Sequence, residues 1–197
     1  MRNHFWTAVL LGGALAVAPA SGARQQSFQI FGGMAGGDEF SIDQPAFEPL
    51  LHKTVSFTTG YDPGTVIVRT GDRKLYYVLS AGEAVEYNVG VGREGFTWKG
   101  ANRISRKAEW PDWRPPREMI EREAALGRYI PKYMRGGPHN PLGARAIYIG
   151  DTQFRIHGTT EPWSIGRAVS SGCIRLMNEE VIDLYNRVEV GALVVVE

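Results

Sequence analysis

Hydrophobic and polar positions along the chain change rhythm several times, and from Thr54 onward short β-branched runs separated by turn residues dominate. Residues 65–69 form one such run; Gly71-Asp72 turns the chain into 74–79, and Ala81-Gly82 turns it again into 84–91. Runs rich in Val, Ile and Tyr, bounded by glycine and aspartate, predict strands, and turns this tight join antiparallel neighbours. Further strands are predicted over 103–108, 146–149, 153–157 and 193–196, the last apolar throughout. Two helices interrupt this pattern. One follows Pro115-Pro116 over 117–126 and stops before Gly127; the other starts at Asn178, an expected N-cap, with Glu179 and Glu180 in its first turn. The fold class that follows is mostly β, a sandwich or barrel with one or two short helices.

Residues 98–141 break the rhythm, crowding Trp98, Trp110, Trp113, Tyr129 and Tyr133 among prolines and charges of both signs. Two readings stand side by side: a long lid-like loop over a substrate, or a surface loop whose tryptophans pack on the sheet. Gly136 to Pro141 reads as a tight turn carrying His139, a turn residue as readily as a site residue. The start of the chain is different again. Arg2, an apolar run of about fourteen residues and the small residues Ser21-Gly22-Ala23 read as a secretory signal over 1–23, too short to span a bilayer. Residues 24–53 carry paired glycines and two prolines with little periodicity and read as a flexible lead-in, leaving 54–197 as one domain. An apolar patch at Phe47, Leu50 and Leu51 is placed to pack on that domain.

Charge narrows the partners. Lys and Arg total 22 against 21 Asp and Glu, a net +1, so nothing in the whole chain favours a nucleic-acid partner. After loss of residues 1–23 no stable membrane span is expected, and the compartment implied is the periplasm or cell envelope.

The chemistry concentrates in one cysteine. Cys173 is the only one in the chain, so an exported form has no internal disulfide and its thiol is free in an oxidising compartment. A thiol with an ordinary pKa of about 8.5 is only a few per cent ionised at neutral pH and needs a neighbouring base or dipole. His157 is the candidate base, Cys173 the candidate nucleophile, and the amides of Ser171, Gly172 and Cys173 are the candidate oxyanion hole. The alternative is a buried, inert cysteine of the common kind. A zinc site from His139, His157 and Cys173 matches no standard ligand spacing, and no metal is expected. Gly90-Val-Gly-Arg-Glu-Gly95 has the spacing of a dinucleotide fingerprint, but the residues after it do not start a helix, so the match is read as chance.

The stretch 157–178, HGTTEPWSIGRAVSSGCIRLMN, resembles the catalytic segment of the L,D-transpeptidase family with the YkuD fold. Tyr61-Asp-Pro-Gly-Thr65, Val89-Gly-Val-Gly92 and Asn140-Pro-Leu-Gly-Ala-Arg145 support it in order along the chain. The resemblance implies Cys173 as nucleophile, His157 as base, the Gly158 carbonyl orienting the imidazole, and Arg175, Ser170, Ser171 and Tyr148 as substrate contacts. It implies peptidoglycan stem peptides as donor and acceptor, an envelope protein as an alternative acceptor, 3→3 cross-links made through a Cys173 thioester, acylation by carbapenems, and no cofactor. One position departs: the family's usual histidine before Gly-Cys is Ser171 here, expected to alter pocket polarity and leave the reaction class unchanged. Competing readings are an L,D-carboxypeptidase, another cysteine peptidase or amidase, and a peptidoglycan-binding module without chemistry.

Overall fold

The computed structural model describes residues 52–197. The expected signal at 1–23, the lead-in up to residue 51 and the apolar patch at Phe47, Leu50 and Leu51 lie outside the described residues. The last two lead-in positions are tied down. His52 donates its amide to Glu180 Oε2 at 3.0 Å, and Lys53 opens the first strand.

The strands are β1 (Lys53–Ser56), β2 (Val66–Arg69), β3 (Lys74–Ser80), β4 (Glu83–Asn88), β5 (Val91–Gly92), β6 (Gly100–Glu109), β7 (Arg145–Ile149), β8 (Arg155–His157), β9 (Ala168–Ser170), β10 (Ile174–Arg175) and β11 (Leu193–Val196). The helices are α1 (Arg117–Ala125) and α2 (Asn178–Arg187). Nine strands run in the order β1-β4-β3-β2-β11-β6-β7-β8-β10, and β5 pairs with β9. The sheet does not close into a barrel. β6 serves two halves: Gly100–Arg103 pair with β11, and Ile104–Glu109 pair with β7.

One core holds both halves together. Val66, Val68, Leu75, Val194 and Val196 from the first half meet Ile104, Ile147, Ile149, Ile156 and Ile174 from the second, with Val181 and Leu184 of α2. Val181 and Leu184 of α2 and Val188 at its C-cap are buried at spacings of three and four residues, which turns one helical stripe inward. Strands are half-buried, so alternate residues of β7, β8 and β10 point away from that core. The functional side chains stand on this outward face.

The strand expected over 103–108 forms, as the ten residues of β6, and the irregular part of 98–141 begins at Trp110. Trp113 and Met134 exchange backbone hydrogen bonds of 2.8 and 2.9 Å, closing the base of an excursion that carries α1. Of the tryptophans, Trp98 stacks on Phe154 at 5.3 Å, and Trp113 lines the central pocket. His139 is an exposed turn residue. The expected N-cap is different: Met177 occupies the cap position and Asn178 is the first helical residue, with no side-chain cap. Asn178 instead accepts a hydrogen bond from Ala144 N at 2.9 Å and donates to Thr159 O at 3.0 Å. It ties α2 to the loops on either side of β7 and β8.

Candidate active site

In β8 and β10, parallel pairing sets Ile174 opposite Ile156 and Arg175 opposite His157. The isoleucines face the core, so Arg155, His157, Cys173 and Arg175 share the other face. Antiparallel pairing of β8 with β7 extends this face to Ala146 opposite His157 and Tyr148 opposite Arg155. Cys173, His157, Arg155 and Arg175 line a pocket of about 410 Å³, roofed by Met119 and Arg122 of α1.

His157 is 4% exposed, and its Nδ1 lies 2.6 Å from the Gly158 carbonyl. A carbonyl only accepts, so Nδ1 carries the proton and Nε2 is the basic nitrogen. Burial, with the neighbouring Arg175 charge, lowers the imidazole pKa to about 3. The Cys173 thiol is raised by burial, which outweighs the opposing Arg155 and Arg175 charges. At neutral pH the pair is therefore a neutral imidazole and a neutral thiol. The Sγ atom lies 3.9 Å from the Gln153 carbonyl, a weak contact.

The loop before the thiol is braced from within. Ser170, 2% exposed, donates through Oγ to Cys173 O at 2.6 Å and accepts from Gly172 N at 3.1 Å. This changes two expectations. Ser170 spends its hydroxyl on the loop rather than on a ligand, and Gly172 N is already engaged. The amides of Ser171 and Cys173 have no acceptor among the described residues. Gly172 itself sits at φ 106°, in the region that favours glycine.

Two glycines of the rejected fingerprint, Gly90 and Gly92, serve the same loop. Gly90 exchanges backbone hydrogen bonds of 2.9 and 2.8 Å with Arg175, and a Cβ there would lie 2.6 Å from Ser164 O. A Cβ on Gly92 would meet Phe96 O at 2.8 Å. Close backbone approach, rather than phosphate binding, accounts for them.

Arg175 is already paired, its Nη1 2.6 Å from Glu161 Oε2. Ser171, at the departing position, accepts from Arg122 Nη2 of α1 at 3.0 Å. Tyr148 faces a separate pocket across Arg155. Sequence reasoning missed Arg155, although its position two residues before His157 on a strand places both on one face. It also missed Glu161, Arg122 and the cross-linking role of Asn178. Among the described residues no His, Cys, Asp and Glu cluster fits a metal.

Asn178→Ala removes two hydrogen bonds and leaves Ala144 N and Thr159 O without their partner. It should destabilise the domain by about 2 kcal/mol, read as a lower urea midpoint at unchanged slope.

This open β sandwich, with a thiol and an imidazole on one sheet face, matches known proteins. The family description of the YkuD L,D-transpeptidase catalytic domain matches residues 63–196. The chain belongs to the YkuD L,D-transpeptidase family. The probable L,D-transpeptidase ErfK/SrfK of Escherichia coli K12 is 36% identical over 134 residues, 66% of this chain and 42% of that protein. The chain thus spans about two-fifths of the length of that relative, and 69% of the putative L,D-transpeptidase YqjB of Bacillus subtilis, which is 34% identical over 137 residues. Among solved structures, L,D-transpeptidase 3 of Mycobacterium tuberculosis aligns with a TM-score of 0.51 at 16% identity, covering 68% of this chain and 60% of that one. A Brucella melitensis protein described as a probable carnitine operon oxidoreductase, caia, aligns with a TM-score of 0.50 at 46% identity, covering 74% of this chain and 93% of that one.

Proposed function

We propose that this protein is a peptidoglycan L,D-transpeptidase that forms 3→3 cross-links through a thioester on Cys173. The observation that carries the reading is the register of β8 and β10, which sets His157 and Cys173 on one face at the floor of one pocket. The donor is a stem tetrapeptide, attacked at the carbonyl joining its diamino acid to terminal D-alanine. His157 Nε2 takes the thiol proton as sulfur adds to that carbonyl, and the amides of Ser171 and Cys173 receive the developing oxyanion. Imidazolium returns the proton to the departing D-alanine amine, leaving the thioester. The side-chain amine of a second stem then attacks, its proton passes to His157, and the thiol re-forms as the new amide is released. Water in that step gives L,D-carboxypeptidase activity, and a protein amine gives protein attachment. The reaction needs no cofactor. Export by residues 1–23 to the periplasm, with 54–197 as the catalytic domain, belongs to the same reading.

An oxidoreductase reading has less support, because the only fingerprint-like glycines are followed by a strand instead of opening a helix. The test is product analysis with a disaccharide-tetrapeptide. The reading expects free D-alanine and 3→3 dimers; tripeptide without dimers indicates a carboxypeptidase, and cleavage at the glycan-peptide amide indicates an amidase.

Ser171→His restores the residue usual in the family but displaces the contact from Arg122. With His157 as base, turnover should change by less than about tenfold. An increase beyond about a hundredfold, the scale of general base catalysis, would move the base to position 171.

A further inference from the structure

The outward face of the second half-sheet carries a row of side chains that leads away from the nucleophile. Arg106 pairs with Tyr148 across β6 and β7, and Tyr148 pairs with Arg155 across β7 and β8. Cys173 stands beside β8 on the same face, so the row runs Arg106, Tyr148, Arg155, Cys173. The Tyr148 ring is held between cations: the Arg106 guanidinium lies 3.7 Å and that of Arg155 5.5 Å from its centroid.

Arg106, Arg114, Tyr148 and Arg155 line a surface pocket of about 540 Å³, and Arg155 also lines the pocket of the thiol. Two acids border it, and both are engaged elsewhere. Glu109 pairs with Arg145 at 3.2 Å, while Asp112 accepts from Gly136 N at 2.9 Å and Tyr133 Oη at 3.1 Å. Among the described residues no carboxylate forms an ion pair with Arg106, Arg114 or Arg155. Arg155 Nε is buried with no partner at all. Three arginines thus share one pocket with two acids, an excess of positive charge that suits a visiting anion. Planar guanidinium groups suit carboxylates, which they bind through paired hydrogen bonds.

The geometry points to this pocket as the docking site of the second, amine-bearing substrate, which it holds by a carboxylate. This rests on the transpeptidase reading, in which two peptides meet at Cys173. The first reacts in the pocket roofed by α1. The second must reach the thioester from another direction, and the arginine row ends beside the sulfur. The open setting suits an exchanging acceptor: Arg106, Trp110 and Arg114 are exposed. The proposed residues take no part in proton transfer. Arg106 and Tyr148 are positioning residues that act on where the acceptor lies.

The test uses a disaccharide-tripeptide, which lacks terminal D-alanine and cannot acylate Cys173. Its binding is measured by calorimetry on the wild type, Arg106→Gln and Arg114→Gln. Both positions are exposed surface sites, and circular dichroism checks the fold of each variant. The expected result is about tenfold weaker binding for each variant, the scale of one charged hydrogen bond, with wild-type affinity falling as salt rises. A tripeptide with amidated carboxyl groups should bind the wild type as weakly as the acid form binds the variants. Equal affinity in wild type and variants, or undiminished affinity for the amide, overturns the assignment. In parallel, the rate at which a carbapenem acylates Cys173 should stay within about twofold in Arg106→Gln, since the donor side is untouched; a parallel loss of acylation would assign Arg106 to the donor and also overturn it. A failure of the transpeptidase reading looks different: the tripeptide binds through Arg106 and Arg114, yet no donor or carbapenem ever labels Cys173 in the wild type.

Discussion

His157→Ala should lower the rate of Cys173 acylation by about 10² to 10⁴ at pH 7, the range supplied by a positioned general base. The pH profile carries more information than the loss. In the wild type the imidazole titrates near 3, because it is buried and faces Arg175, and the thiol is held above its ordinary value. A base works only when unprotonated, so activity is present above the imidazole pKa and is lost as pH falls through about 3. An exposed histidine would give an acid limb near 6.5, and burial moves the limb well below that. Between about pH 4 and 8 the wild-type rate should therefore be nearly flat. Without His157 the thiolate must form by direct ionisation, and the residual rate should rise about tenfold per pH unit up to the thiol pKa. A bell centred near 6.5 in the wild type, or a flat profile in the variant, would remove His157 from its role. Stopped acylation assays with a chromophoric carbapenem from pH 3 to 9 supply both profiles.

Gly172→Ala should reduce acylation by about a hundredfold or more while leaving the domain folded, a loss on the scale of one missing oxyanion donor. A Cβ at position 172 would lie 2.5 Å from Phe154 Cε1 and 2.8 Å from Phe96 O, at a φ of 106° that side chains rarely adopt. The aromatic ring is stacked on Trp98 and the carbonyl belongs to the backbone, so neither yields cheaply. The strain falls on the loop of Ser170, Ser171 and Cys173, whose amides and sulfur must keep their relative positions. A misplacement of about 1 Å costs on the order of 10²-fold in rate. Thermal unfolding separates this from general damage: a variant that unfolds near the wild-type temperature and still loses acylation places the effect in the loop. Wild-type acylation in a folded Gly172→Ala would show that the loop tolerates displacement.

Much of this architecture follows from local pattern. Strands β2, β3 and β4 are legible because their turns, Gly71-Asp72 and Ala81-Gly82, separate short runs rich in Val, Ile and Tyr. Strands β5, β9 and β10 are two or three residues long and exist through backbone approach at Gly90, Gly92 and Gly172, which leaves no periodic trace. Asn178 shows how one residue type carries two meanings: the polar side chain that suits a cap also serves to bind Ala144 and Thr159, far away in sequence. Cys173 and His157 are legible as a pair from residue type and from the surrounding motif. The partner of Arg175, Glu161, is not, since an ion pair across a loop has no fixed spacing. The same holds for Gly172 N, expected free for an oxyanion and engaged instead by Ser170 Oγ.

The most direct test of the account is the intact mass of the protein, wild type and Cys173→Ala, after incubation with a disaccharide-tetrapeptide. The account predicts a wild-type adduct equal to the donor less D-alanine, lost on addition of an amine acceptor, and no adduct on Cys173→Ala. An adduct of the same mass on the alanine variant, or D-alanine released at an undiminished rate without Cys173, would contradict it.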